Sequence, residues 1–392
     1  MKKILALVLA LCMVFALCAC GDSKAPAEEA PAEEPAEAPA EEPAEEPAEE
    51  APAYKVAMIT DYGDITDQSF NQTTYEACKA FSEANGVDFQ YYKPAGDSTA
   101  ERVAMIDAAV ADGYNVIVMP GFAFGEAVTQ TAELYPDVHF IALDVSQADF
   151  GEFVLPENTF SAVYQEELCG YMAGYAAVKL GYTKLGFLGG MAVPAVVRYG
   201  YGFVQGADAA AAELGVDVSM NYAYGNQFFG DADITAAMDS WYQAGTEVVF
   251  ACGGGIYTSA AEAAAKVDGK VIGVDTDQSG IIDGQYGEGM TVTSAMKGLA
   301  ATVNTVLTDL IVNNSWDAYA GQVATLGLVG EDVEANYVQI PTATTQWADG
   351  FTQEDYAALV KSMLNGDVVV SSDIEKEPEV TTITVDYQGN IK

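Results

Sequence analysis

A strand-like run at residues 55–60 leads directly into the segment that decides the fold, Asp61-Tyr62-Gly63-Asp64-Ile65-Thr66-Asp67-Gln68-Ser69-Phe70-Asn71-Gln72. This segment opens the first helical pattern of the chain, at residues 69–85. In open sheets of parallel strands, ligands bind just past the carboxyl ends of the strands. A plain strand-to-helix turn needs a glycine and a capping Asp, but no Phe flanked by Ser, Asn and Gln. We therefore predict that this loop forms one lip of a ligand-binding cleft, with Asp67 as the cap of the helix.

Strand and helix patterns alternate beyond this loop in two successive series of similar length. The strands are predicted at residues 55–60, 88–92, 115–119, 139–143 and 159–164, and then at 184–188, 218–224, 247–251 and 271–274. Continuous apolar strands between amphipathic helices indicate parallel sheets that are covered on both faces. The sequence thus predicts an α/β protein with two Rossmann-like domains in tandem.

The remaining segments give the predicted division of the chain. A strand at 290–293, helices at 295–312 and 352–364, and strands at 368–370 and 382–385 form a tail that is expected to complete both domains. We predict a signal segment at 1–19, a linker at 20–53, a first lobe at 54–170, a second lobe at 171–290, and crossover and tail segments at 291–392.

The first twenty-one residues have the pattern of an export signal. Lys2 and Lys3 precede an apolar run at residues 4–16, and Leu17-Cys18-Ala19-Cys20-Gly21 follows. A small residue, then Cys, then Gly resembles the bacterial lipobox, which implies lipidation of Cys20 and a tether on the extracytoplasmic face of the cell membrane. The alternatives are an ordinary secretory signal and a single membrane anchor, but the apolar run is short for a span.

Charge and composition limit the partners. Residues 21–53 repeat Ala, Pro and Glu without aromatic or branched apolar side chains, which predicts an extended spacer. From residue 54 onward, 13 Lys and Arg face 46 Asp and Glu, a net charge of −33. This surface argues against nucleic acid as a partner, because phosphates would be repelled.

Cysteine and histidine usage argues against a disulfide framework and against a zinc site. Beyond Cys20, the remaining cysteines are Cys78, Cys169 and Cys252, each within an apolar pattern, so we predict buried thiols. His139 is the only histidine, which excludes a His-rich metal site. The run at 275–280 imitates half a calcium loop, but Tyr286 stands where the bidentate Glu belongs. We expect neither a metal nor a cofactor.

Polar residues follow several predicted strands. Asp61, Asp144 and Asp275 each come directly after an apolar strand, and a glycine run at 253–255 follows another. A single Asp at this place is commonly a helix cap, whereas three from both halves favour a shared cleft. Carboxylates in a cleft suit a ligand rich in hydroxyl or N–H donors. Lys297, placed at the start of a predicted helix, is either their counter-charge or a solvated lysine.

Another glycine pattern is rejected as a dinucleotide fingerprint. Gly200-Tyr201-Gly202 lies inside an apolar helical pattern, and the next glycine, Gly206, is misplaced for that motif.

Three ordered motifs carry a family resemblance over residues 55–312. They are Thr60-Asp61 with Asp67 and Ser69-Phe70-Asn71-Gln72, then Gly189-Gly190-Met191 with Pro194, then Val274-Asp275-Thr276-Asp277-Gln278. Together they resemble the basic membrane protein family, lipid-anchored substrate-binding components of ABC importers similar to purine nucleoside receptor lipoproteins. The resemblance implies the type I periplasmic binding protein fold, with two domains hinged around a nucleoside, and an ABC permease as partner. A monomer is expected.

The resemblance also implies roles for single residues. Phe70 and Phe229 would sandwich the base, and Asp61 and Asp144 would address its edge, with Asp61 as either donor or acceptor. Asp275 would hold the ribose hydroxyls beside Lys297. Gly254 and Gly255 would admit the sugar, although the loop departs here from the family pattern. Asn71 and Gln72 would either bind the ligand or hold the loop.

Two other functions remain open at this level. One is a sensor or binding protein for another small molecule, such as a sugar, although paired Phe residues favour a flat ligand. The other is a nucleoside-hydrolysing enzyme, which would need an Asp as general base because the cleft lacks a predicted His.

Overall fold

The structure, a computed structural model, describes residues 54–392 and has the predicted α/β architecture. Its thirteen strands are β1 (Lys55–Ile59), β2 (Asp88–Tyr92), β3 (Val116–Pro120), β4 (His139–Leu143), β5 (Thr159–Tyr164), β6 (Lys184–Gly189), β7 (Val218–Tyr224), β8 (Val248–Cys252), β9 (Lys270–Asp275), β10 (Thr291–Lys297), β11 (Gln322–Leu326), β12 (Val338–Gln339) and β13 (Ile383–Asn390).

The strands form two sheets, which define two lobes. The first sheet has the order β11-β5-β4-β3-β1-β2 and is parallel throughout. The second has the order β12-β10-β9-β8-β6-β7-β13, and only the β10–β12 pair is antiparallel. The order β4-β3-β1-β2 in one sheet repeats as β9-β8-β6-β7 in the other. The two lobes are therefore built on one topology, as two successive βα series predict.

Helices connect and cover the strands. They are α1 (Phe70–Asn85), α2 (Thr99–Ala111), α3 (Gly125–Thr131), α4 (Gln147–Phe150), α5 (Glu166–Lys179), α6 (Pro194–Leu214), α7 (Ala232–Gln243), α8 (Tyr257–Ala264), α9 (Ser279–Tyr286), α10 (Leu299–Leu307) and α11 (Gln353–Leu364). Short 3-10 helices lie at Phe122–Phe124 and Val333–Ala335, and a π-helical turn at Thr308–Val312 extends α10.

The chain crosses between the two sheets three times. After β5 it enters α5, which packs against α6 and β10 of the second lobe. After β10 it returns through α10, which packs against α1, to strand β11 of the first sheet. After β11 it crosses again to β12. The predicted boundary between residues 170 and 171 falls inside α5, just beyond the first of these crossovers.

Glycines let α5 and α6 lie in backbone contact. A methyl group on Gly170 or Gly174 of α5 would collide with the carbonyl oxygens of Tyr199 or Phe203 on α6. Gly206 of α6 is equally close to the carbonyl of Tyr171. Small residues spaced by four permit such close helix approach. The rejected dinucleotide pattern at residues 200–206 is thus helical, as predicted, and its glycines serve packing.

Parts of the predicted tail are wrong. The helix predicted at 295–312 begins only at Leu299, because Ala295 and Met296 still pair with β9 and so extend the strand to Lys297. The strand predicted at 368–370 is absent from the described chain, where the backbone runs over the surface with Val369 82% exposed. Strands β11 and β12 were not predicted. Their short, half-polar sequences carry little apolar periodicity.

Other sequence predictions concern thiols and membrane segments. Cys78, Cys169 and Cys252 are buried and unpaired, as predicted. Within residues 54–392, no helix combines the length and apolarity that a bilayer crossing requires. The signal segment, Cys20 and the linker at 20–53 lie outside the described residues.

Candidate functional site

A cavity of about 720 Å³ lies at the carboxyl ends of the strands, lined by both lobes. Its volume is typical of small-molecule sites. All nine residues that the sequence singles out for ligand binding line it, namely Asp61, Phe70, Asn71, Asp144, Phe229, Gly254, Gly255, Asp275 and Lys297. The structure therefore brings together residues from six separate segments of the chain, as expected if strand ends of the two sheets face each other.

The ammonium group of Lys297 is the electrostatic centre of the cavity floor. The residue is 5% exposed, and its Nζ lies 2.5 Å from Oδ2 of Asp144 in the first lobe. Oδ1 of Asp275 in the second lobe is 3.7 Å away. Burial opposes the charge, but the surrounding carboxylates raise the pKa of Lys297 above its usual value. The sequence placed Lys297 at the start of a helix, but the residue ends β10. Of its two predicted roles, the structure supports the counter-charge, because Lys297 is buried and paired with carboxylates.

Two residues that the sequence did not identify complete this charge cluster. Glu166 at the start of α5 is fully buried, with Oε1 3.4 Å from Nζ of Lys297. Its Oε2 accepts a hydrogen bond of 2.6 Å from Nε of Arg198, which lines the cavity from α6. Three carboxylates therefore surround two cations, which leaves this cluster with one excess negative charge when all its groups are ionised.

Asp144 and Asp275 occupy equivalent places in the two lobes. Asp144 directly follows β4 and Asp275 ends β9, and both have left-handed backbones, with φ of 61° and 65°. Such conformations are uncommon outside glycine and occur preferentially at functional sites. Oδ1 of Asp144 is buried without a hydrogen-bond partner among the described residues. Burial raises the pKa of Asp144 to about 6, although the charge of Lys297 opposes the shift.

Asp275 also joins the two lobes. Oγ of Ser69, from the first lobe, donates a hydrogen bond of 2.6 Å to its Oδ2. The hydroxyl of Tyr199 donates to its Oδ1 at 3.4 Å. Beside it, Nε2 of Gln278 donates to the carbonyl oxygen of Gln68 at 3.0 Å. The opening loop of the first lobe is thereby fastened to the end of β9.

Within that loop, Asp61 shapes the turn. Its Oδ1 accepts hydrogen bonds from the backbone N–H groups of Tyr62 at 2.6 Å and Gly63 at 2.7 Å. Burial nevertheless raises the pKa of the Asp61 carboxyl. Gly121 lies against its Oδ2, and with a φ of 123° it leaves no room for a side chain there. Only Oδ2 is left to face a ligand.

Asp67, the predicted cap of α1, holds the start of this helix from two residues before the N-cap position, which Ser69 occupies. Its Oδ1 accepts from the backbone N–H groups of Ser69 at 2.9 Å and Gln72 at 3.0 Å, and its Oδ2 from that of Asn71 at 2.9 Å. Nδ2 of Asn71 also donates to Asp67 at 3.1 Å, whereas its buried Oδ1 has no partner within the described part of the chain. Asn71 thus holds the loop with the NH2 end of its amide, while the oxygen at the other end is buried and unpartnered among the described residues. Gln72 points along α1, where it bonds Gln68 and Glu76.

The aromatic residues of the cavity differ in their surroundings. The ring of Phe70 lies 4.8 Å from Nζ of Lys297, within reach of a cation–π interaction. Phe229 is 61% exposed, and its backbone bridges to Gly255. Phe228 instead packs over Gly190, and Tyr62 of the first lobe lies 6.4 Å from its ring. Phe229 is therefore a large apolar side chain that faces the cavity without a packing role.

The glycine run after β8 allows close approach to the backbone. Gly253 and Gly254 have φ of 149° and 52°, which side chains rarely adopt. A methyl group on Gly254 would stand 2.9 Å from the carbonyl oxygen of Phe228.

Sequence signals for the unpredicted site residues are weak. Glu166 has the sequence context of an ordinary acidic residue in the first turn of a helix. Arg198 lies within an apolar helical pattern and could have been noticed, since only 13 basic residues follow residue 53. Between residues 54 and 392, no group of three or more His, Cys, Asp or Glu side chains is arranged to hold a metal ion.

Sequence comparison identifies relatives of this chain in several bacteria. The ABC transporter nucleoside-binding protein BmpA of Lactococcus lactis is 29% identical over 269 residues, 65% of this chain and 73% of that protein. Basic membrane protein B of Borreliella burgdorferi is 28% identical over 283 residues, 70% of this chain and 78% of its own.

Solved structures share the fold. An ABC transporter solute-binding protein of Aeropyrum pernix superposes with a TM-score of 0.62 at 23% identity, over 82% of this chain and 88% of the other. One from Conexibacter woesei gives a TM-score of 0.63 at 22% identity, over 82% and 99%. These likenesses establish the periplasmic solute-binding fold of type I.

A match to a whole protein family covers most of the chain. Residues 54–361 fit the family described as PnrA-like substrate-binding proteins of ABC transporters. The chain therefore belongs to the PnrA-like (Bmp) family and is a substrate-binding protein of an ABC transporter.

Proposed function

We propose that the protein captures a nucleoside, with purine nucleosides preferred, and delivers it to its ABC permease. The observation that carries the proposal is the pairing of an exposed ring, Phe229, with unpartnered acceptors in one cavity. A flat base stacks on aromatic faces, and base N–H and sugar hydroxyl groups donate to carboxylates and amide oxygens. The nucleoside-binding relative in Lactococcus lactis supports the same ligand class.

Different residues of the cavity bind the base and the ribose of the proposed ligand. We assign the base to Phe70 and Phe229, with Oδ1 of Asp144, Oδ1 of Asn71 and Asp61 as acceptors at its edge. The ribose hydroxyls go to Asp275 and Lys297, where the loop at Gly254 and Gly255 lets the sugar approach the backbone. The excess of carboxylates over cations in the floor disfavours a phosphate, so the ligand is a nucleoside and not a nucleotide.

We propose that the ligand is captured without any covalent reaction. The two lobes close around the ligand about the crossover segments, and the closed form is the state presented to the permease. Residues of both lobes of the chain line the cavity, and we propose that the protein acts as a monomer. A sugar would leave the exposed ring of Phe229 without a flat partner, and hydrolysis would need an activated water in the cleft.

We also propose that the protein is an extracytoplasmic lipoprotein anchored through Cys20. The lipobox-like sequence around this residue and the lipoproteins among the relatives, such as one of Pyrococcus furiosus, support this location.

Cys20→Ser is expected to move the protein from the membrane fraction to the soluble fraction, because a thioether-linked lipid can form only on the cysteine. Cell fractionation followed by mass spectrometry of the mature amino terminus measures this, with Cys18→Ser as the control. Membrane retention of Cys20→Ser equal to that of the wild type would contradict the lipid anchor.

Titration calorimetry with adenosine, guanosine, inosine, uridine, ribose and AMP tests the ligand class. We expect the purine nucleosides to bind and ribose and AMP to fail. Phe229→Ala should weaken nucleoside binding by about 1–3 kcal/mol, the value of one base–aromatic stack. Because Phe229 is already 61% exposed, this truncation leaves the core intact.

Leu134→Ala is the matched control, since Leu134 is 69% exposed and does not line the cavity. Its affinity for nucleosides should equal that of the wild type. No binding across the panel would overturn the ligand assignment, while release of free base during incubation would overturn the receptor role and favour the hydrolase.

Nucleoside affinity should also depend on pH. Asp144 offers two charged acceptor oxygens only when ionised, because protonation turns one of them into a donor, and its pKa is about 6. Affinity is therefore expected to be constant above that pH and to fall about tenfold per pH unit below it, as one proton competes with the ligand. Titration calorimetry on both sides of this pH measures the fall in affinity at acid pH, here called the acid limb. Asp144→Asn should abolish the acid limb. A wild-type affinity that stays flat through the range would exclude Asp144 as a ligand acceptor.

A further inference from the structure

A buried glutamate lies beneath the cavity without lining it. Glu166 has no exposed side-chain surface, and each of its oxygens faces a different cation. Oε2 accepts from Nε of Arg198 at 2.6 Å, and Oε1 is 3.4 Å from Nζ of Lys297. Among the hydrogen bonds of residues 54–392, those of Arg198 involve only Nε, so the outer edge of its guanidinium is left to the cavity.

The position of Glu166 in the chain links this contact to the crossovers. Glu166 is the first residue of α5, directly after the chain leaves the first sheet. Lys297 is the last residue of β10, directly before the chain returns through α10. The ion pair between them therefore ties together two of the three segments that connect the lobes.

We propose that Glu166 is a positioning residue, which holds Lys297 and Arg198 in the cavity floor and couples their placement to the crossover segments. The inference rests on the proposed function, because it concerns the affinity of the same cavity for a nucleoside. Glu166 does not touch the ligand. It acts by fixing the direction in which the two cations present their remaining donors.

The chemistry of the contact requires a carboxylate. Two cations need two acceptors, and a carboxylate offers both oxygens. An amide of the same shape offers one oxygen and one NH2 group, so it must turn a donor toward either Lys297 or Arg198. Glu166→Gln therefore takes the Glu166 acceptor away from one of the two cations and places an NH2 donor against it, which displaces that cation.

Glu167→Gln provides the matched control on the next residue of α5. Glu167 is 4% exposed, and its Oε2 has no hydrogen-bond partner among the described residues. It does not line the cavity. Both substitutions remove one buried carboxyl from adjacent positions, but only Glu166→Gln removes an acceptor that hydrogen-bonds Arg198 and Lys297 directly.

The test is titration calorimetry of the full chain with inosine and adenosine. Glu166→Gln should bind about tenfold more weakly than the wild type, the effect of losing one charged hydrogen bond, and Glu167→Gln should bind equally well. Glu166→Asp keeps the charge but moves it back by one methylene, so its affinity should lie between those of the wild type and Glu166→Gln. Thermal melting shows whether each variant folds, and if Glu166→Gln does not fold, the affinity of Glu166→Asp provides the test.

The pH profile separates positioning from general destabilisation. Asp144 faces Lys297, Glu166 and Asp275, and it also senses Arg198. The charge of Glu166 raises the pKa of Asp144, so Glu166→Gln should move the acid limb of binding to lower pH. Glu166→Asp should leave the limb in place.

Wild-type affinity in both Glu166 variants, or an equal loss in Glu167→Gln, would overturn the inference. A wild type that binds none of the nucleosides would instead overturn the proposed function, so the two failures are distinguishable.

Discussion

A buried ammonium group must be surrounded by acceptors, and this constraint determines how the two lobes meet. Lys297 is almost fully enclosed, and desolvating its charge without compensation would cost several kcal/mol. The compensation comes from Asp144 of the first lobe, Asp275 of the second and Glu166 at a crossover. No single lobe supplies all of them. The charge cluster thus exists only where the ends of both sheets face each other, which is also where the cavity lies.

The two lobes contribute equivalent residues to the site because they share one topology. Their sheets repeat the order of four strands, with Asp144 directly after β4 and Asp275 at the end of the equivalent strand β9. Both residues have left-handed backbones that turn their carboxylates toward the same lysine. The surroundings then separate their roles. Asp275 is occupied by Ser69 and Tyr199, whereas Asp144 keeps a buried oxygen unpartnered.

Sequence patterns predicted the parts of this arrangement that depend on local periodicity. Apolar strands that end in Asp61, Asp144 and Asp275 could be recognised, and their convergence followed from the rule that parallel strands present one edge. Lys297 was assigned to a helix, because the apolar run of residues 295–312 hides the point where strand pairing ends. Glu166 and Arg198 could not be assigned to the site from the sequence. They form an ion pair between two helices and lie 32 positions apart in the chain, so no local sequence pattern reveals the pair.

The most direct test of this account replaces the central charge. Lys297→Met keeps the volume of the aliphatic chain but leaves three buried carboxylates with Arg198 as their remaining neighbouring cation. We expect thermal melting to show a loss of about 3–5 kcal/mol in the free energy of unfolding, and calorimetry to show no measurable binding of inosine. A Lys297→Met protein that melts like the wild type and binds inosine with unchanged affinity would contradict the account.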